Sequence, residues 1–155
     1  MHHVWTKADF EVSTDPARLQ VEMVHEFLTN SYWAKGIPLA IVQRSIENSI
    51  CFGIYFSSQQ IGFARVITDC ATFAYLADVF ILPSYRGRGL SKWLMECILE
   101  HPDLQGLRRW ILATRDAHAL YASYGFTPIR KPERWMELHD PDVYEKNIGH
   151  TTSID

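Results

Sequence analysis

The chain reads as one α/β domain built on a mixed sheet, and three observations predict it. In the first half, Ile50 to Phe56 and Ile61 to Thr68 are β-prone runs separated by the polar turn Ser57-Ser58-Gln59-Gln60, the pattern of a hairpin. In the second half strand-like and helical runs alternate, as crossover connections require. Between them, Val79-Phe80-Ile81-Leu82 ends at Pro83 and passes through Ser84-Tyr85-Arg86-Gly87-Arg88-Gly89 into Leu90, Trp93, Leu94, Cys97 and Ile98, which keep helical spacing.

In order along the chain, Phe10 to Ser13 is a short first strand. Asp15-Pro16 starts a helix to about Leu28, whose apolar positions Leu19, Met23, Val24, Phe27 and Leu28 face inward. A loop with adjacent aromatics, Tyr32 and Trp33, leads to a second helix from about Leu39 to Glu47. The hairpin follows, then a strand over Thr72 to Leu82 that enters the glycine-rich turn. The next helix stops near His101-Pro102, and Leu107 to Ala113 is another strand. Thr114-Arg115-Asp116 opens a short helix through Tyr124, ended by Gly125 as a C-terminal cap. Phe126 to Ile129 and Trp135 to Leu138 read as final strands. Residues 1–140 are expected to be one domain and 141–155 a polar, loosely held tail.

With 155 residues the chain is long enough to bury a core without staples. A net charge of -3 supplies no basic field, which argues against nucleic acid as a partner. Cys51, Cys70 and Cys97 are odd in number and lack metal-ligand spacing, so each is read as a small buried residue in a reducing compartment. No run is long and apolar enough for a membrane span, and the N-terminus lacks a signal-peptide pattern; a cytoplasmic protein is expected. His25, His101, His118 and His139 are scattered, so no metal site is expected; His118 alone, one turn from Tyr121, merits a test.

A strand that feeds through glycines into a helix start leaves several N–H groups pointing outward, and Arg86 and Arg88 add full charge. This is an anion site, suited to phosphate. It lacks the Gly-Lys-Ser/Thr ending of a P-loop and the Gly-x-Gly-x-x-Gly fingerprint. The segment Ile81 to Gly89 resembles instead the signature of the GNAT superfamily of acetyl-CoA-dependent N-acetyltransferases. Ala117 to Phe126, with Ala117 and Tyr121 on one helix face and a Gly-Phe ending, is similar to the second signature of that family, and the order of elements matches throughout.

The resemblance implies a mostly antiparallel mixed sheet of six to seven strands flanked by about four helices. It implies an acyltransferase that moves an acetyl group from acetyl-CoA to a primary amine by direct attack in a ternary complex. By position, the backbone at Phe80, Ile81 and Leu82 would hold the pantetheine arm, and Arg86, Gly87, Arg88, Gly89, Leu90 and Ser91 the phosphates. Tyr121 would be the general acid for the leaving thiolate, with Tyr124 as the nearby alternative. Asp78 interrupts an apolar strand, where an unpaired carboxylate is costly. It is either a base for the amine or a structural partner of Arg65. Tyr32, Trp33, Arg65 and Tyr75 are candidate acceptor contacts, with Phe73 and Trp135 as further walls. Two positions depart from the family pattern: Ser84 replaces a Gln or Arg, and Thr114 an Asn. A non-catalytic acyl-CoA sensor is the alternative function, and the assembly is either a monomer or a homodimer.

Overall fold

The structure, a computed structural model, describes residues 1–150, the last four by backbone alone. Six strands, β1 (Val4–Lys7), β2 (Phe10–Ser13), β3 (Ile50–Phe56), β4 (Gln59–Thr68), β5 (Phe73–Ile81) and β6 (Arg109–Leu112), form one sheet in sequence order. Neighbours from β1 to β5 pair antiparallel, and β5 pairs parallel with β6. Helices α1 (Val21–Thr29) and α2 (Leu39–Glu47) cover one face. Helices α3 (Leu90–Glu100) and α4 (His118–Ala122) cover the other, and α5 (Val143–His150) follows. This is the mixed, mostly antiparallel architecture that the sequence predicts.

Alternation along the strands divides the core in two. Phe52, Ile54, Ala64, Val66, Leu76 and Ile81 point toward α3 and meet its whole apolar stripe, Leu90, Trp93, Leu94, Cys97 and Ile98. Cys51, Phe63 and Phe80 point the other way, against Val24 and Leu28 of α1 and Val42 and Ile46 of α2. Burial pushes the Cys51 and Cys97 thiols up to about 12, which keeps both as inert core groups. Cys70 departs from the expected burial: it is exposed, in a turn with φ 61°.

Five elements differ from the sequence reading. β1 was not anticipated. The run from Pro16 is a single 3-10 turn, Pro16–Arg18, and the helix restarts at Val21. The cause is a tertiary lock: the Gln20 N–H donates to Gln60 Oε1 at 2.8 Å, and Gln20 Nε2 to Ser58 O at 3.0 Å. Gln60 is fully buried and donates through Nε2 to Gly62 O at 2.9 Å, so its polar groups are matched and the start of α1 is pinned to the hairpin. The segments Phe126 to Ile129 and Trp135 to Leu138 are not strands; they run as irregular chain beyond the sheet. The stretch after Asp140 contains α5, whose Tyr144 packs against the α1–α2 core.

His101 ends α3 and caps the following turn, accepting the Asp103 N–H on Nδ1 at 3.1 Å. Burial, with His3 beside it, lowers its pKa below the ordinary histidine value. A group with a depressed folded pKa stabilises fully above its unfolded pKa and loses that contribution as pH falls. Chemical denaturation at pH 7.5 and pH 5.5 should therefore show the native chain losing stability on acidification, and His101→Asn, which retains a capping oxygen, losing less. Equal losses in both would remove His101 from the acid response.

Candidate active site

The site forms where β5 outruns its neighbour. The β5–β6 ladder pairs Phe73 with Arg109 through Leu76 with Leu112 and then stops, while β5 continues to Ile81. On that side the backbone of residues 77–81 has no strand partner. At the same point the β4–β5 register shifts: Phe63 faces Phe80 and Arg65 faces Ala77, so Asp78 and Val79 lie opposite Ala64 alone. This is a β-bulge, and Asp78 occupies the left-handed region with φ 56°. A non-glycine residue held there costs about 1–3 kcal/mol, which surrounding contacts must offset.

Those contacts come from three separate segments. Arg65 Nε donates to Asp78 Oδ2 at 2.8 Å, and Trp33 Nε1 donates to Asp78 Oδ1 at 2.9 Å. Arg65 Nη1 reaches Ser49 Oγ at 3.2 Å. The Arg65 and Asp78 side chains are 16% and 10% exposed, so this ion pair is largely withdrawn from water. Arg65 is thus committed to Asp78. Trp33 stands here because Ser31 folds the loop: its hydroxyl donates to Leu28 O at 2.6 Å and accepts from the Ala34 N–H at 3.1 Å. Phe27 stacks on Phe80 with ring centroids 3.9 Å apart and carries Trp33 on its flank at 6.2 Å.

Tyr32, adjacent and half-exposed, links this group to α4. The Arg115 guanidinium carbon lies 3.9 Å from the Tyr32 ring centroid. Tyr121 is buried against the α3 side of the core, and its hydroxyl makes no hydrogen bond among the described residues. Burial, and secondarily Tyr32, raises its pKa above the ordinary tyrosine value, so the phenol keeps its proton through the neutral range. Tyr124 is spoken for: its hydroxyl donates to Lys92 O at 2.9 Å and docks α4 on α3. His118 is exposed at the first position of α4.

The turn beyond β5 is built for an anion. Gly87 and Gly89 have φ 78° and 76°, and a Cβ added at either would meet nothing within 4 Å, so backbone is presented to open space. Trp93 N–H bonds to Gly89 O, which leaves the N–H groups of Leu90 and Ser91 without helical acceptors. Beside them lies a cavity of about 320 Å³, lined by Ile81, Tyr85, Arg86, Gly89, Leu90 and Leu120 among others. Arg86 Nε donates to Ile81 O at 2.9 Å, so its side chain also closes the turn. Arg88 lies over Tyr85, 5.4 Å from the ring centroid.

Two expected wall residues sit elsewhere, and a third borders the last pair of the ladder. Tyr75 lies in the paired part of β5, opposite Ile67 and Ile111. Phe73 pairs with Arg109, and Trp135 holds the Arg109 guanidinium 4.8 Å from its ring centroid, so both stand at the far end of the β5–β6 ladder from the opening. Sequence reasoning missed Arg115, although its place just beyond β6 is a usable signal. It also missed Tyr144. Burial, and then the Asp78 carboxylate, raises the pKa of that phenol, and a lone aromatic in a polar tail was the only hint of it.

A sheet opened at its parallel pair, with a phosphate-type turn below the opening, is the architecture of an acyltransferase. The acetyltransferase (GNAT) domain family matches residues 47–128. A curated protein of Gibberella zeae whose name places it among acetyltransferases is 36% identical over 140 residues, covering 76% of this chain and 78% of its own. The crystal structure of a GNAT-family protein from Xanthomonas campestris pv. campestris is 56% identical, with a TM-score of 0.86, covering 87% of this chain and 96% of that one. A crystal structure from Clostridium acetobutylicum that contains acetyl-CoA shares the fold at a TM-score of 0.59 with 14% identity, over 90% of this chain and 96% of that one. The chain belongs to the GNAT family of acetyltransferases. Membership does not favour a non-catalytic sensor.

The Arg65–Asp78 pair makes a stability prediction. Arg65→Met leaves a buried carboxylate with one donor fewer and should cost about 3–5 kcal/mol in urea denaturation. Adding Asp78→Asn removes the charge while keeping a residue that tolerates the left-handed backbone. The double variant should then recover part of the loss, and strictly additive losses would count against the pairing.

Proposed function

We propose that this chain transfers an acetyl group from acetyl-CoA to a primary amine of its acceptor, by direct attack within a ternary complex. The observation that carries the reading is Tyr121, a phenol on α4 that is buried on the α3 side of the core, keeps its proton through the neutral range and has no hydrogen-bond partner among the described residues. When bound, acetyl-CoA supplies an activated acyl carbon joined to sulfur. Gly87, Gly89, Leu90 and Ser91 would hold its pyrophosphate with their N–H groups, and Arg86 and Arg88 would add charge. The backbone over Phe80, Ile81 and Leu82 would align the pantetheine arm as an added strand on the side β6 leaves open. The Leu82 N–H is already given to Ile61 O at 2.8 Å and Ile81 O is shared with Arg86, so neither is a free partner for that arm.

The amine nitrogen attacks the carbonyl carbon, the carbon–sulfur bond breaks, and the thiolate takes the Tyr121 proton. Tyr121 is then reprotonated from solvent, and the surplus amine proton leaves through water at the open mouth. Asp78 is best read as a positioning group: both its oxygens already accept from Arg65 and Trp33, which favours an anchor for the acceptor loop over a base. Tyr32 and Trp33 form the acceptor wall, and Arg115 is the exposed cation beside it.

Tyr121→Phe should lower kcat by about 10²-fold or more, the size of a general-acid contribution. Calorimetry should show acetyl-CoA affinity within about twofold of the native chain. Full turnover in Tyr121→Phe would move the acid elsewhere, whereas loss of acetyl-CoA binding would show that Tyr121 serves the pocket and not the proton.

A further inference from the structure

The charges around the opening differ in what already occupies them. Both oxygens of Asp78 accept, from Arg65 Nε at 2.8 Å and from Trp33 Nε1 at 2.9 Å, and Arg65 balances the carboxylate in a pair largely withdrawn from water. Neither member of that pair has charge left for a ligand. Arg86 donates to Ile81 O and Arg88 lies over Tyr85, which places both at the phosphate-type turn. Arg115 is different. It is exposed just beyond β6, and among the described residues its guanidinium enters no hydrogen bond and no ion pair, not even with the adjacent Asp116. It is nevertheless held in place: its guanidinium carbon lies 3.9 Å from the Tyr32 ring centroid, Tyr32 meets Trp33 edge to face at 5.1 Å, and Trp33 is fixed by Asp78. A ring face offers no lone pair, so the N–H donors of Arg115 are left unmatched. Tyr32 also lies near enough to Tyr121 to contribute to its raised pKa, which sets this cation on the side of the reacting groups.

We propose that the acceptor is a primary amine that also bears a carboxylate, a free amino acid, and that Arg115 selects it by pairing with that carboxylate. The inference rests on the acetyl transfer proposed above and names its substrate class. The planar fork of a guanidinium matches the two oxygens of a carboxylate, and a fork already positioned by an aromatic ring loses less freedom on pairing. One unshared cation balances one negative charge, which suits a carboxylate better than a phosphate dianion. A polycationic amine, by contrast, would meet the unbalanced charge of Arg115 and a carboxylate, Asp78, whose own charge is already balanced.

Thiol release at saturating acetyl-CoA should be followed with the common amino acids, each as the free acid and as the C-terminal amide, and with phosphoethanolamine and a polyamine. For the amino acid turned over best, kcat/KM should exceed that of its amide by about 10-fold or more, the size of a charge-assisted contact. Arg115→Ala should abolish that ratio, and Arg115→Lys, which keeps the charge without the fork, should retain part of it. Calorimetry with the same amino acid and its amide in the presence of CoA, which has no acyl group to give, measures the preference without turnover. Amides, phosphoethanolamine or the polyamine used as well as the acids, or an acid preference that survives Arg115→Ala, overturns the inference and leaves acetyl transfer standing. Acid-selective binding that depends on Arg115, with no amine turned over, keeps the carboxylate site and overturns acetyl transfer. Neither binding nor turnover of any amino acid overturns the inference outright.

Discussion

The arrangement depends on β5 leaving β6. A parallel pair is stable only where both backbones follow the same twist, and β6 ends at Leu112 while β5 has five more residues to run. The bulge at Asp78 gives β5 the extra twist that separates it from its neighbour without detaching it from β4. On the proposed function, the backbone exposed by that departure and the turn that follows would form the donor half of the site, and the side chain that stabilises the departure would help to form the acceptor half. One residue in an unfavourable backbone conformation therefore sets both, and the Arg65 and Trp33 hydrogen bonds are what hold it there.

Most of this frame was legible because it rests on short-range signals. The α3 stripe was read from spacing alone, and all five of its positions are buried. Gly87 and Gly89 were read as turn glycines and have positive φ. Partnership with Arg65 is one of the two roles the sequence leaves open for Asp78, because a charge in an apolar strand needs a partner, and the two side chains are joined at 2.8 Å. Each inference needed only neighbours in sequence and a rule about which groups tolerate burial.

The misses share the opposite property. The helix expected from Pro16 breaks because Gln20 answers to Gln60, forty residues away, and local capping signals carry no trace of that bond. Trp135 satisfies strand propensity, yet its ring lies on the Arg109 guanidinium and its N–H closes a turn on Pro132 O, so it joins no strand. Arg115 and Tyr144 reach the site through folds of chain that no periodicity encodes.

On the proposed function, this division would let one scaffold separate two recognition tasks. The donor side would be held chiefly by backbone N–H groups of the turn, those of Gly87, Gly89, Leu90 and Ser91, which any non-proline residue supplies, so a side-chain change such as Ser84 is tolerated there. The acceptor side is assembled from side chains on the loop after α1, on β4 and β5, beyond β6 and on α5. None of these is constrained by the donor geometry except through Asp78. A change at Tyr32, Arg115 or Tyr144 alters what the acceptor meets and leaves the splay intact, whereas a change at Arg65 or Trp33 reaches both halves through the carboxylate they share. Acceptor choice can therefore vary at the first three positions while the last two stay bound to the architecture.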